Sequence, residues 1–465
     1  MVGGGISGLL SARELASAGI RVTVLEASEA WGGCVGSHVV AGLRLDSGAE
    51  SFATRSTAVA ELAAELGLGG NIVAPDPSGA WVQLPEGPRE LPKTGVLGIP
   101  ASPWDPEVRR SLGLAGSLRA SLDAWLPASL GTSGEVASVS SLVRLRMGKR
   151  VLKRLVEPVV GGVHSADPGL LDVDVVAPGL REGVRRHGSL AAAVAAQRGK
   201  AGEGSQSKAG SAVAGLRGGM QTLVAALTAD LEACGVELVT GVRAEAAART
   251  VGGWRVTAAG RVHDAELLVV ALDGPSAVTL LEGELSALAS RRPEPGPDVK
   301  LVTLVVDVPE LDRKPRGTGV LVAPQTPGIR AKALTHATAK WDWLAAEAGP
   351  GTHVLRLSYG RSGDPEDGGG HQPLFDDEQL YHSAVDDASA LLGVGIKEAD
   401  VVDWDVVRWA GSLPFAALGH KQRVADVRSI CADAGGLAVV GGWLSGNGLA
   451  AVVADTPRHV RAILP

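Results

Sequence analysis

The chain has 465 residues, of which 45% are hydrophobic and 20% charged, and its net charge is −7. That length exceeds one ordinary core and predicts roughly two to four domains, while the composition excludes a disordered chain. No basic run is present, which argues against nucleic acid as a partner, because that binding needs clustered Lys and Arg.

The first local signal is Gly3-Gly4-Gly5-Ile6-Ser7-Gly8, a G-x-G-x-x-G run. Gly3 permits a tight turn, Gly5 lets the backbone approach a pyrophosphate, and Gly8 lets the next helix pack on its sheet. Residues 7–18 are predicted as that helix, with Leu9, Ala12, Leu15 and Ala16 on one face and Gly19 as its stop. Its N-terminus offers free N–H groups to phosphates. A strand is predicted at 21–25, and Glu26 at its end can accept hydrogen bonds from both ribose hydroxyls. Such a unit also needs a buried strand before the glycine loop. Only Met1 and Val2 precede Gly3, so further strand residues are expected upstream.

Residues 106–197 are predicted to be helical, followed by a polar loop at 200–210. Gly218 and Gly219 then lead into a helix carrying Leu223, Leu227 and Leu231, with a strand at 236–239 and Val242 just beyond it. Strands at 254–256 and 266–272 are expected to return to the same sheet. Segments 299–308, 319–323 and 353–359 are expected to belong to a second sheet, with another loop at 362–372. Residues 435–454 carry no charge over twenty positions, the length of a membrane span. They include six glycines with Ser445 and Asn447, however, and divide into a strand, a loop and a helix, so no transmembrane segment is expected. Cys34, Cys234 and Cys431 form neither a metal-ligand spacing nor a disulfide framework, and no metal site is expected. With no charged stretch leading into an apolar one at the start, a cytoplasmic location is expected.

Two resemblances sharpen this. Glu26 is followed by Gly32-Gly33, and this Glu-x5-Gly-Gly spacing resembles the second fingerprint of FAD-dependent amine-oxidase-like proteins. Cys34 stands where that pattern carries Arg or Lys. The segment 154–168, R-L-V-E-P-V-V-G-G-V-H-S-A-D-P, resembles the L-V-[DE]-P-x-x-x-G-[VI]-Y-A-G-D-P signature of the protoporphyrinogen and coproporphyrinogen oxidases, with His164 in place of Tyr. Gly48-Ala49-Glu50-Ser51-Phe52, the 332–341 and 355–360 segments, and Arg408-Trp409 with Pro414 and Gly419-His420 are similar to further motifs of that family, in the same order. Gly446-Asn447-Gly448-Leu449-Ala450 departs from the family's G-V-G-[IL]-P but keeps its second glycine.

The resemblance implies an α/β fold. A Rossmann-like FAD-binding domain would comprise 1–75, 215–275 and 421–465, and a substrate-binding mixed-sheet domain 76–105 and 276–420. A helical domain would span 106–214. It also implies FAD contacts at Gly3, Gly4, Gly5, Ile6, Ser7, Gly8, Glu26, Ala27, Gly48, Ala49, Glu50, Ser51, Val242, Trp409, Asn447, Gly448 and Leu449, with Cys34 carried over as a position only. The helix starting near Gly448 would turn its positive end to the flavin.

The implied reaction is oxidation of a porphyrinogen in haem biosynthesis, with oxygen as acceptor and hydrogen peroxide as product; the soluble form implies coproporphyrinogen III as substrate. The flavin carries the difficult chemistry, so no catalytic side chain is named, and His164, His336 and His420 are expected to be structural. Four propionates call for Arg or Lys, and Arg55, Arg330 and Lys332 are the candidates, with solvated surface charge as the plainer reading. Contact with a downstream chelatase is a further expectation. The rival readings are protoporphyrinogen IX oxidation, another FAD amine oxidase or desaturase, and a non-catalytic partner of the haem pathway.

Overall fold

The computed structural model describes residues 1–92, 96–134, 137–200, 212–360, 375–411 and 416–464. Its nucleotide-type sheet is parallel: Thr23–Leu25 pairs with Glu237–Val239, and Leu268–Val270 pairs with Leu437–Val439. Val2 joins the two pairs, bridging Leu25 on one side and Val270 on the other. The Val2 amide donates to the Val269 carbonyl at 2.9 Å, and the Leu25 amide donates to the Met1 carbonyl at 3.0 Å. Met1 and Val2 therefore occupy the central strand position, and Gly3 leaves the sheet from a braced point.

Side chains alternate across this sheet as the strand period requires. Val24, Val269 and Ala438 pack with helices Ile6–Ser17, Gln221–Ala233 and Leu449–Arg461 on one face. Leu25, Val270 and Val439 face the other way, toward helices Gly274–Leu281 and His420–Ala434. That face is also covered by an antiparallel sheet of Ala244–Thr250, Gly253–Ala258 and Arg261–Ala265. This corrects one expectation: the strand containing Trp254 does not return to the parallel sheet. Its burial alternates, with Trp254, Val256 and Ala258 inward, as befits a sheet with one wet face. Leu268–Val270 is buried at every position, as a strand covered on both faces must be.

The second sheet has seven strands in the order Val401–Trp409, Val299–Asp307, Thr352–Tyr359, Ala333–His336, Gly319–Val322, Trp81–Leu84 and Gly87–Glu90. Helix Asp377–Leu392 covers one face. The other face receives the hairpin Ser37–Val40 and Leu43–Asp46, whose Val40 and Leu45 pack with Val305, Val354 and Trp341. His38 Nδ1 lies 2.6 Å from an Asp405 oxygen, and the Ala41 amide donates to Asp403 at 2.6 Å. This hairpin carries the chain from the nucleotide-type sheet to the face of the larger one.

The helices between Pro106–Ser121 and Leu190–Lys200 enclose a core of their own. Inside it the fully buried Arg146 donates to Asp123 at 2.6 Å and to the carbonyls of Pro127, Leu130 and Gly188. Lys200 ends the last of these helices; the rest of the loop expected at 200–210, and the one at 362–372, lie outside the described residues, as does Pro414. Among the described residues no helix is long and apolar enough to cross a membrane. Residues 435–454 contain the strand Leu437–Val439, the short helix Gly442–Ser445 and the start of Leu449–Arg461.

Candidate flavin site

Helix Ile6–Ser17 starts at Gly5 with no side chain capping it, so its first N–H groups are available to an outside acceptor. A Cβ built on Gly5 would meet no protein atom within 4 Å. A Cβ on Gly8 would lie 1.9 Å from the Gly3 carbonyl oxygen, and one on Gly3, at φ +101°, would lie 2.5 Å from that of Ala271. Gly3 and Gly8 are thus dictated by the fold, whereas the space at Gly5 is kept for something else. Open space before an uncapped helix start is what a diphosphate requires.

Glu26 stands beside this loop. Its Oε2 accepts the Gly4 amide at 2.6 Å, and its Oε1 accepts both the amide and the hydroxyl of Ser28 at 2.8 Å. The Val242 amide donates to the Glu26 carbonyl at 2.8 Å, so Val242 and the neighbouring, exposed Ala27 belong to the same corner. Gly32 bridges Gly5 and donates its amide to the Gly4 carbonyl at 2.9 Å. The two glycine motifs, which meet where Gly5 bridges Gly32, therefore form one surface.

A second strip of chain continues that surface. Cys34 is reached by solvent yet crowded enough that burial pushes its thiol pKa up. Its carbonyl accepts the Ala49 amide at 2.9 Å, and a Cβ on Gly48 would lie 2.0 Å from the same oxygen. The Trp409 indole N–H donates to the Ser47 carbonyl at 2.8 Å. Arg356 donates to the carbonyls of Gly48 at 2.7 Å and Asp46 at 3.2 Å. The Asp46 carboxylate accepts the amides of Met220 at 3.1 Å and Gln221 at 3.3 Å at the start of helix Gln221–Ala233. Burial pushes Asp46 up to about 6, against the Met220 amide and the Arg356 charge.

The Glu50 side chain is paired with two cations. It meets Lys340 at 2.5 Å and Arg356 at 3.7 Å. Burial acts to raise its pKa, but Lys340 and Arg356 outweigh that and hold it down to about 2. What this side chain touches is a charge cluster beside a cavity of about 30 Å³ lined by Asp46, Glu50, Trp341 and Arg356, which has room for water. Ser51 follows on the way to strand Phe52–Ala53. Asn447, Gly448 and Leu449 open helix Leu449–Arg461, which is uncapped at Gly448 and packs along Ile6–Ser17.

The basic candidates diverge. Arg55 is exposed just past Phe52–Ala53. Arg330 points to the face covered by helix Asp377–Leu392, donating to the Ser383 hydroxyl at 3.0 Å with its guanidinium 4.7 Å from the Phe375 ring centre. Lys332 is 1% exposed and donates to the Ser165 hydroxyl and, at 2.8 Å, to the Gly360 carbonyl. The plainer expectation of solvated surface charge therefore fails for Lys332. It joins the 154–168 segment to the sheet, at the C-terminal end of helix Glu157–His164, where a cation is favoured. His336 is fully buried, with burial and then the His353 charge holding it down to about 3, so it is neutral. His420 is also buried and lowered by burial. Among the described residues no group of three His, Cys, Asp or Glu side chains could hold a metal ion. The sequence does not single out Asp46, Lys340 or Arg356. The last two lie in the 332–341 and 355–360 segments, but only strand register reveals their contacts.

A parallel sheet ending in an uncapped helix start, with a carboxylate held beside two facing glycine loops, defines a dinucleotide-binding oxidoreductase fold. The chain belongs to the family of flavin-containing amine oxidoreductases, whose profile matches residues 6–455, and FAD is its cofactor. It is 30% identical to the coproporphyrinogen III oxidase of Propionibacterium freudenreichii subsp. freudenreichii, over 99% of this chain and 89% of that protein. It is 26% identical to the coproporphyrinogen III oxidase of Bacillus subtilis (strain 168), over 97% and 94%. A crystal structure from Exiguobacterium sp. 255-15, assigned provisionally as a protoporphyrinogen oxidase, superposes with a TM-score of 0.83 at 24% identity, covering 99% of this chain and 97% of that one. Cyclohexylamine oxidase from Brevibacterium oxydans IH-35A shares the fold with a TM-score of 0.67 at 15% identity, over 99% and 97%.

Proposed function

We propose that this protein oxidises coproporphyrinogen III to coproporphyrin III in haem biosynthesis, in the cytoplasm, with oxygen as the final acceptor and hydrogen peroxide as the second product. The observation that carries the reading is the likeness to coproporphyrinogen III oxidases along 99% of the chain, at 30% identity. FAD, when bound, supplies the hydride acceptor for each of the three two-electron steps. The chain's own part is to bind and orient. Gly5 and the first turn of Ile6–Ser17 take the diphosphate, Glu26 the ribose hydroxyls, Val242 the adenine, and Cys34 with the backbone of Gly48, Ala49, Glu50 and Ser51 borders the flavin. Trp409 and the start of Leu449–Arg461 complete that border. No side chain is assigned as a base. Arg55, exposed and with no side-chain partner among the described residues, is the first choice for a propionate. Arg330 and Lys332, already engaged elsewhere, are not. Delivery of the product to a metal-inserting chelatase follows from the same reading.

The domain division at 1–75, 215–275 and 421–465, at 76–105 and 276–420, and at 106–214 is part of the proposal with one adjustment. Helix Gly274–Leu281 and Leu288 pack in the core of the nucleotide-type sheet, so the chain up to about 291 is grouped with it. The test is anaerobic mixing of the FAD-loaded protein with coproporphyrinogen III. Bleaching of the flavin absorbance with appearance of porphyrin fluorescence is expected; a flavin that stays oxidised at saturating substrate refutes the reading.

A further inference from the structure

Three successive carbonyls, those of Asp46, Ser47 and Gly48, each accept a side-chain N–H from the seven-stranded sheet: Arg356 takes the first and third, Trp409 the second. Thr303 is paired with Arg356 and Val299 with Trp409 on the strand between them. Those two residues are four apart, so Arg356 and Trp409 emerge from the same face of the sheet. On its opposite edge the strip is held by the Cys34 loop, through the Ala49 amide and the close approach of Gly48 to the Cys34 carbonyl. The Ala49 amide ties the strip to the Cys34 loop and the Ser47 amide ties it to the Gly36 carbonyl at 3.0 Å, while Arg356 and Trp409 hold its carbonyls from the side of the sheet. Arg356 is half-buried and planar, and its two terminal nitrogens reach two carbonyls at once, which a lysine ammonium cannot reproduce in the same geometry.

We propose that Arg356 is a positioning residue for the flavin: its two-pronged hold on Asp46 and Gly48 fixes the shape of the strip that borders the cofactor and couples that shape to the substrate-side sheet. The Glu50 carboxylate, 3.7 Å from Arg356, balances the guanidinium charge and is itself paired with Lys340. The inference rests on the flavin placement proposed above, but not on the identity of the substrate.

The experiment compares the full-length protein with Arg356→Met, Arg356→Lys and Lys340→Met. FAD affinity is measured by titrating the apoprotein, the visible circular dichroism of bound flavin is recorded, and kcat and KM for coproporphyrinogen III are determined. Arg356→Met is expected to weaken FAD by ten-fold or more and to change the visible dichroism. Its kcat is expected to fall at least as far, with KM within about three-fold. Arg356→Lys keeps the charge but not the double hold and is expected to lose most of the same affinity; it decides the matter if Arg356→Met does not fold. Lys340→Met alters the cluster's charge without removing a donor to the strip, and FAD affinity within about three-fold of the parent is expected. Folded Arg356 variants with unchanged affinity and dichroism overturn the proposal. So does a loss in Lys340→Met as large as in Arg356→Met, since charge alone would then explain the effect. A parent protein that binds FAD but does not oxidise coproporphyrinogen III sinks the functional reading and leaves the affinity and dichroism comparison valid.

Discussion

The Gly4 amide donates to Oε2 of Glu26 at 2.6 Å, closing the glycine loop onto the end of the neighbouring strand. One carboxylate thereby shapes the loop and, in the proposed cofactor placement, also receives the ribose hydroxyls. Glu26→Ala removes both functions. FAD affinity is expected to fall by about 2 kcal/mol, roughly thirty-fold, because a charged acceptor is lost. Titration of apoprotein with FAD checks this, and thermal melting of the apoprotein should shift little because Glu26 lies at the edge of the core.

Gly5 and Gly8 separate binding from folding. Gly5 has extended backbone angles, φ −70° and ψ 176°, and free space where a Cβ would go. Gly5→Ala is therefore expected to fold with a near-parent melting temperature while losing FAD, because the methyl group occupies the diphosphate's place. Gly8→Ala places a carbon 1.9 Å from the Gly3 carbonyl oxygen and is expected to destabilise the apoprotein itself. Melting curves with and without FAD distinguish the two.

Lys332→Met tests whether that residue is structural. The substitution strips a donor from the Ser165 hydroxyl and the Gly360 carbonyl inside the protein. A loss of about 1–3 kcal/mol in unfolding free energy by urea titration is expected, whereas Arg55→Ala should leave stability unchanged and raise KM.

The charge cluster predicts opposite pH responses. Glu50, held down to about 2 from its ordinary 4.5, stabilises the fold fully above pH 4.5, and that contribution is lost as pH falls toward 2. Asp46, pushed up to about 6 from 3.8, binds its proton more tightly in the folded state, so its contribution is lost as pH rises through that interval. Urea unfolding across this range should show Glu50→Gln flattening the loss of stability on the acid side and Asp46→Asn flattening the loss of stability between about pH 4 and 6.

Local rules made the nucleotide half legible. The glycine run, Glu26 and the helices after each loop depend on neighbours within about thirty residues, where periodicity and turn chemistry decide. Trp254 is assigned to the wrong sheet although Trp254, Val256 and Ala258 alternate with Arg255 and Thr257, because alternation marks a strand with one wet face but not which sheet it joins. Arg356, Lys340 and Asp46 were invisible for a different reason. Their partners lie up to 310 residues away, and the contacts exist only once seven strands take their register. Lys332 is a propionate candidate in sequence, with surface charge as the plainer reading, because nothing in sequence shows that Ser165 accepts its ammonium inside the protein.

The central claim is the substrate, and steady-state kinetics of the FAD-loaded protein on coproporphyrinogen III and protoporphyrinogen IX tests it most directly. Fluorescence follows porphyrin formation, and a coupled assay follows peroxide. The account predicts a higher kcat/KM for the tetracarboxylate, with peroxide appearing in step with coproporphyrin. A clear preference for protoporphyrinogen IX, or no turnover of either by protein that holds its flavin, would contradict it.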